Sequence, residues 1–121
     1  MLFACFMIDK PGMNEKRNDL RPVHQGYLET SRDKLYIAGP LWNDARTKML
    51  GSLYVVEQKD KAATTAWLAG EPFFQNGLFS SQYIYGWDHL KGDRESKENL
   101  TLYFHLDALS APDKRASLRE Q

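Results

Sequence analysis

The sequence predicts an α+β domain of the order β-α-β-β-α-β, with two helices covering one face of a four-stranded antiparallel sheet. Three observations carry that expectation. Leu2-Phe3-Ala4-Cys5-Phe6-Met7-Ile8 is a continuous apolar run of strand length, as expected of a strand covered on one or both faces. Leu20, Val23, His24, Tyr27, Leu28 and Ser31 recur at helical spacing and form one largely apolar stripe. Strand-like runs then flank a second helical stripe, Ala63, Ala66, Trp67 and Gly70, which completes the split β-α-β topology of the ferredoxin-like kind.

Taken in order, the first strand ends at Asp9-Lys10-Pro11-Gly12, where Pro11-Gly12 marks a turn. Polar residues from Asn14 to Asp19 form an exposed helical turn or two before Pro22, which either kinks one helix or starts a second. Proline fits best at the first helical position, and that placement makes His24 the third residue of a helix. There the positive end of the helix dipole disfavours a second proton on the ring, and a neutral imidazole is what a general base needs. The helix should finish near Ser31 to Asp33.

Lys34 to Ala38 reads as a short strand stopped by Gly39-Pro40, and Leu41 to Lys48 as a connection to a third strand at Leu50 to Glu57. Gly51-Ser52 weakens strand propensity there and suggests close approach of a backbone or ligand. Asp60 is a natural N-cap for the second helix, which Glu71-Pro72 ends. Asn76-Gly77 turns the chain into a fourth strand, Phe79 to Trp87, with partial alternation. The domain is expected to span residues 1–90. Residues 91–121 form a C-terminal extension, with one extra strand expected at 100–106, where Leu102, Phe104 and Leu106 alternate with Tyr103 and His105.

A chain of 121 residues suits one compact domain, able to bury about two-thirds of its unfolded surface. Sixteen basic residues balance sixteen acidic ones without a basic cluster, which argues against a nucleic-acid or anionic-membrane partner. The one cysteine, Cys5, cannot form an intrachain disulfide, so a cytoplasmic location is expected. The apolar start reaches Asp9 too soon for a transmembrane span and is unlike a secretory signal. An uncovered apolar sheet face would need a partner, and homodimerisation through the sheets is the economical answer.

No Gly-rich phosphate loop, C-x-x-C pair, H-E-x-x-H helix or G-x-S-x-G elbow occurs. The three histidines lack metal-ligand spacing, so neither a metal nor another cofactor is expected. His24 remains as the candidate base, against the plainer reading of a core histidine satisfied by a backbone carbonyl. Glu71 stands at the end of the second helix, where a carboxylate could hydrogen-bond the imidazole and fix its tautomer, against the plainer reading of an exposed helix-end residue.

Several of these segments carry a family resemblance. Met1-Leu2-Phe3, Asp9-Lys10-Pro11-Gly12 and Arg21-Pro22-Val23-His24 resemble the opening of the YCII-related (YciI-like) proteins. Ala38-Gly39-Pro40-Leu41, Gly51-Ser52-Leu53, Glu71-Pro72-Phe73 and Gly77-Leu78-Phe79 follow in that family's order. The resemblance covers roughly residues 1–87 and implies a ferredoxin-like fold of the dimeric α/β-barrel type, with a site built on a histidine and an aspartate. The histidine falls on His24. The aspartate of the usual Asp-Pro-Tyr motif falls on Glu71, so this chain has Glu-Pro-Phe. That change keeps the charge and adds a methylene, a displacement large enough to cost about a hundredfold in rate if uncompensated.

The resemblance implies a small-molecule lyase or isomerase, similar to dehydrochlorinases acting on ring or lactone substrates. In it His24 is the base, Glu71 orients it, and Arg21 and Ser52 bind an anionic substrate. Two other classes stay open: a ligand-binding or interaction module without turnover, and a cofactor-free dimeric monooxygenase suggested by architecture alone.

Overall fold

The computed structural model describes residues 1–92, so the extension and its expected strand at 100–106 lie outside the described residues. Four strands and three helices follow in the order β1 (Leu2–Asp9), α1 (Asn14–Thr30), β2 (Leu35–Trp42), β3 (Met49–Glu57), α2 (Lys61–Ala69), α3 (Pro72–Gln75) and β4 (Phe79–Trp87). The sheet runs β2-β3-β1-β4, with every neighbouring pair antiparallel. This is the ferredoxin-like arrangement, with a one-turn helix added after α2.

The strand period decides which residues meet the helices. Phe3, Cys5 and Met7 of β1 lie opposite Val56, Tyr54 and Ser52 of β3, and the packed core contains Phe3, Cys5, Met7, Tyr54 and Val56. Leu35 from β2, Leu28 from α1, and Trp67 and Leu68 from α2 complete that core. Each fully buried leucine contributes about 1.5–3 kcal/mol relative to exposure. Burial also pushes the Cys5 thiol up to about 12, which leaves it inert as a nucleophile near neutral pH.

Several local expectations are corrected. α1 is one helix that runs through Pro22, so His24 stands ten residues after the helix begins and the dipole argument does not reach it. Pro22 lies on the exposed side with Asn18, so water can meet the Asn18 carbonyl that loses its N–H partner. The buried residues of α1 are Arg17, His24 and Leu28, whereas Val23, placed on the apolar stripe by its spacing, is 58% exposed. Likewise Thr64, Trp67 and Leu68 are buried on α2, and Ala66 is exposed.

β2 continues through Gly39-Pro40 to Trp42, because it is an edge strand and an edge can leave the missing proline N–H on its open side. Phe79 shares the parity of outward-facing Ser81 and Tyr83, yet packs on the core. A register shift between Ile8 and Asp9 reverses its direction.

Two expected features are present. Asp60 caps α2 by accepting from the Ala63 N–H at 2.8 Å. Gly51 sits where another backbone comes close: a Cβ there would stand 2.0 Å from the Met7 carbonyl oxygen. The face away from the helices stays open, with Phe6, Tyr83, Tyr85 and Trp87 exposed on β1 and β4.

Gly51→Ala forces β1 and β3 apart and should destabilise the fold by about 1–3 kcal/mol, read as a lowered melting temperature. An unchanged melting temperature would contradict the packing described.

Candidate active site

α1 and α3 bring the two central side chains together. Gly70-Glu71-Pro72 separates α2 from α3, and Glu71 takes the N-cap position of the short helix with Pro72 at its first residue. The Glu71 Oε2 accepts from the Phe74 N–H at 3.2 Å, which draws the carboxylate inward rather than to solvent. Glu71 is 0% exposed, and its Oε1 is paired with Nδ1 of His24, itself 8% exposed. The exposed-residue reading of Glu71 is thereby excluded. The extra methylene is accommodated, since one carboxylate both caps α3 and reaches the imidazole.

The pairing sets the ring's chemistry. A carboxylate offers only acceptors, so Nδ1 carries the hydrogen in this contact and Nε2 is left as the basic nitrogen. The face of the ring is fixed as well. Phe73, two residues after Glu71, stacks on His24 with centroids 3.9 Å apart and planes within 11°.

A second buried pair lies two helical turns back along α1. Arg17 is 4% exposed and binds Asp9 in a forked contact, Nε to Oδ2 at 2.8 Å and Nη2 to Oδ1 at 2.9 Å. Nη2 also donates to Ser52 Oγ at 3.0 Å. The guanidinium carbon stands 4.6 Å from the centroid of Phe73, so that ring contacts both the arginine and the histidine.

These groups line a cleft between α1, the β2–β3 hairpin and α3, with about 360 Å³ of empty space including the part open to solvent. His24, Arg21, Ser52, Tyr54 and Phe73 are among its walls. Arg21 donates to Asn18 Oδ1 at 3.0 Å and approaches Met49 Sδ at 3.5 Å, holding it at the cleft. It stands in the middle of α1. All four side chains singled out in the sequence therefore converge: Arg21, His24 and Ser52 line the cleft, and Glu71 stands behind His24. Arg17 and Asp9 were missed. Arg17 is seven residues before His24 and so on the same helix face, but its charge reads as solvated. Among the described residues, no group of three or more His, Cys, Asp or Glu side chains is arranged to hold a metal ion, and no helix is long and apolar enough to cross a membrane.

The fold and the site together define a ferredoxin-like domain with a buried histidine–carboxylate pair at a small cleft. The chain belongs to the family of the YCII-related domain, which it matches over residues 1–88. Among solved structures it is similar to 5-chloro-2-hydroxyhydroquinone dehydrochlorinase from Burkholderia phenoliruptrix AC1100, in complex with 2,5-dihydroxybenzoquinone. That likeness has a TM-score of 0.70 and 28% identity, covering 74% of this chain and 96% of that one. PA3566 from Pseudomonas aeruginosa aligns with a TM-score of 0.45 and 14% identity, over 74% of this chain and 93% of that one. No curated protein matches the chain in sequence.

Tyr27 donates to the Trp67 carbonyl at 2.6 Å beside Gly70. Burial, and then the nearby Glu71 charge, raise its phenol above the ordinary value of 10.0. A raised phenol favours the native state fully below the unfolded value, and that contribution is lost as pH rises through the folded value. Tyr27→Phe should cost about 1 kcal/mol at neutral pH through the lost hydrogen bond and should flatten the decline in stability above pH ~10. Parallel alkaline denaturation curves for the two proteins would contradict this.

Proposed function

We propose that the protein is a small-molecule lyase or isomerase of the dehydrochlorinase type, with His24 as general base and Glu71 as the residue that orients it. The observation that carries this reading is the pairing of Glu71 with His24 Nδ1 at a cleft, which leaves Nε2 as the base. The similarity to a dehydrochlorinase with a bound dihydroxybenzoquinone supports the reaction class and a ring-sized substrate.

In the elimination, Nε2 takes a proton from the substrate, and the electron pair released moves through the substrate to expel chloride. His24 then passes the proton to water, so one proton and one chloride leave together. In an isomerisation the same nitrogen returns the proton to a different atom. Arg21 and Ser52 are the substrate-binding side chains at the cleft wall in either case, and no cofactor takes part.

The protein acts as a homodimer in this proposal. Phe6, Tyr83, Tyr85 and Trp87 leave an apolar sheet face uncovered, and a second copy of the same face is self-complementary about a twofold axis. A cytoplasmic location and domain limits of 1–90 and 91–121 belong to the same reading.

Turnover of 5-chloro-2-hydroxyhydroquinone and related ring substrates, followed by chloride release, tests the assignment. His24→Ala should abolish turnover. Glu71→Gln should lower kcat by about 10²–10⁴-fold while binding persists, because an amide no longer enforces the tautomer. Glu71→Asp restores the family's shorter acid but withdraws the carboxylate from a contact already made, and should lower activity too. A ligand that binds in a thermal-shift screen yet is recovered unchanged would move the assignment to a non-catalytic binding module. Light scattering should return a dimer at micromolar concentration, and a 14.0 kDa species alone contradicts the assembly.

A further inference from the structure

We infer that Arg17 and Ser52 together form an oxyanion-binding subsite, and that Asp9 is the positioning residue that aims it. This deepens the proposed function and rests on it, since the oxygen bound is that of a flat, acidic substrate whose proton His24 takes.

The guanidinium has five N–H donors in one plane. Its Nε edge is committed to Asp9 through Nε and Nη2, and the other Nη2 hydrogen goes to Ser52 Oγ. Nη1 meets no acceptor among the described residues, although Arg17 lines the cleft. The outward hydrogens of the two terminal nitrogens run side by side, so an oxygen taking the Nη1 hydrogen sits next to Ser52 Oγ.

Ser52 completes the pair of donors. Its Oγ accepts from Arg17, which points its own hydrogen elsewhere, and the side chain is 2% exposed at the cleft wall. The strand period places it there, since Ser52 lies opposite Met7 on the helix-facing side of β3. Two donors held by buried groups and aimed at one point are preorganised to stabilise a developing negative charge.

Asp9 keeps the arginine from turning, and its side chain is only 6% exposed. It also cancels the arginine's formal charge, so the subsite attracts an anion through directed hydrogen bonds rather than net charge. Phe73 closes the arrangement, because its ring contacts Arg17 and stacks on His24. A planar substrate thus meets the base and the oxyanion donors along one wall.

The test uses calorimetric titration of the full chain with 2,5-dihydroxybenzoquinone, which carries acidic ring oxygens, and with its neutral dimethoxy analogue. Ser52→Ala should weaken the acidic ligand about tenfold, and the charge-neutral double change Asp9→Asn with Arg17→Gln about a hundredfold. Affinity for the neutral analogue should stay within about twofold, a selectivity that a merely structural role does not produce. Ser52→Ala leaves the ion pair intact and decides the question alone if the double variant does not fold. Variants that bind the acidic ligand as wild type does, or that lose both ligands equally, overturn the subsite and leave the His24–Glu71 reading standing. A wild-type protein that binds neither ligand overturns both.

Discussion

A carboxylate with no exposed surface has to be answered by its neighbours, and Glu71 sets that demand. An unpaired buried charge costs several kcal/mol, so the native structure is organised to supply partners. The α3 N-terminus gives the Phe74 N–H, and α1 gives His24. Meeting both conditions fixes the turn between α2 and α3 and the imidazole's tautomer. Gly70 allows the close approach: a Cβ there would come within 2.8 Å of the Tyr27 hydroxyl.

The same arrangement is repeated two turns away. Asp9, at the end of β1, plays toward Arg17 the part that Glu71 plays toward His24: a buried acid that orients a nitrogen group. Phe73 joins the two pairs by contacting both nitrogen side chains. The cleft therefore has two polar centres whose directions are set from behind by carboxylates and from the side by one aromatic ring. Preorganisation of that kind is what a site needs to act on charge that develops during reaction.

The elements were legible because their signals are strong and local. The apolar run of β1, the Asp60 cap and the Asn76-Gly77 turn each act within a few residues. The His24–Glu71 pair was anticipated from residue types and a resemblance, and the structure brings those side chains together. Other features depend on contacts that only the folded chain creates. Pro40 reads as a breaker until β2 is known to be an edge strand. Val23 fits the apolar period, yet the buried face of α1 is rotated toward Arg17 because Asp9 makes a buried guanidinium acceptable. Phe79 changes side because of a register shift that its own alternation does not reveal. Charged residues are normally read as solvated, and that rule hid the Arg17–Asp9 pair.

The role of His24 as base depends on the direction of one hydrogen bond, and nitrogen-15 NMR of its ring measures it. With labelled histidine, the ring should show a proton on Nδ1, shifted far downfield by the Glu71 carboxylate, and Glu71→Gln should remove that shift. A ring that carries its hydrogen on Nε2 alone, with Nδ1 bare and the spectrum unchanged by Glu71→Gln, would contradict the pair and the base assigned to it.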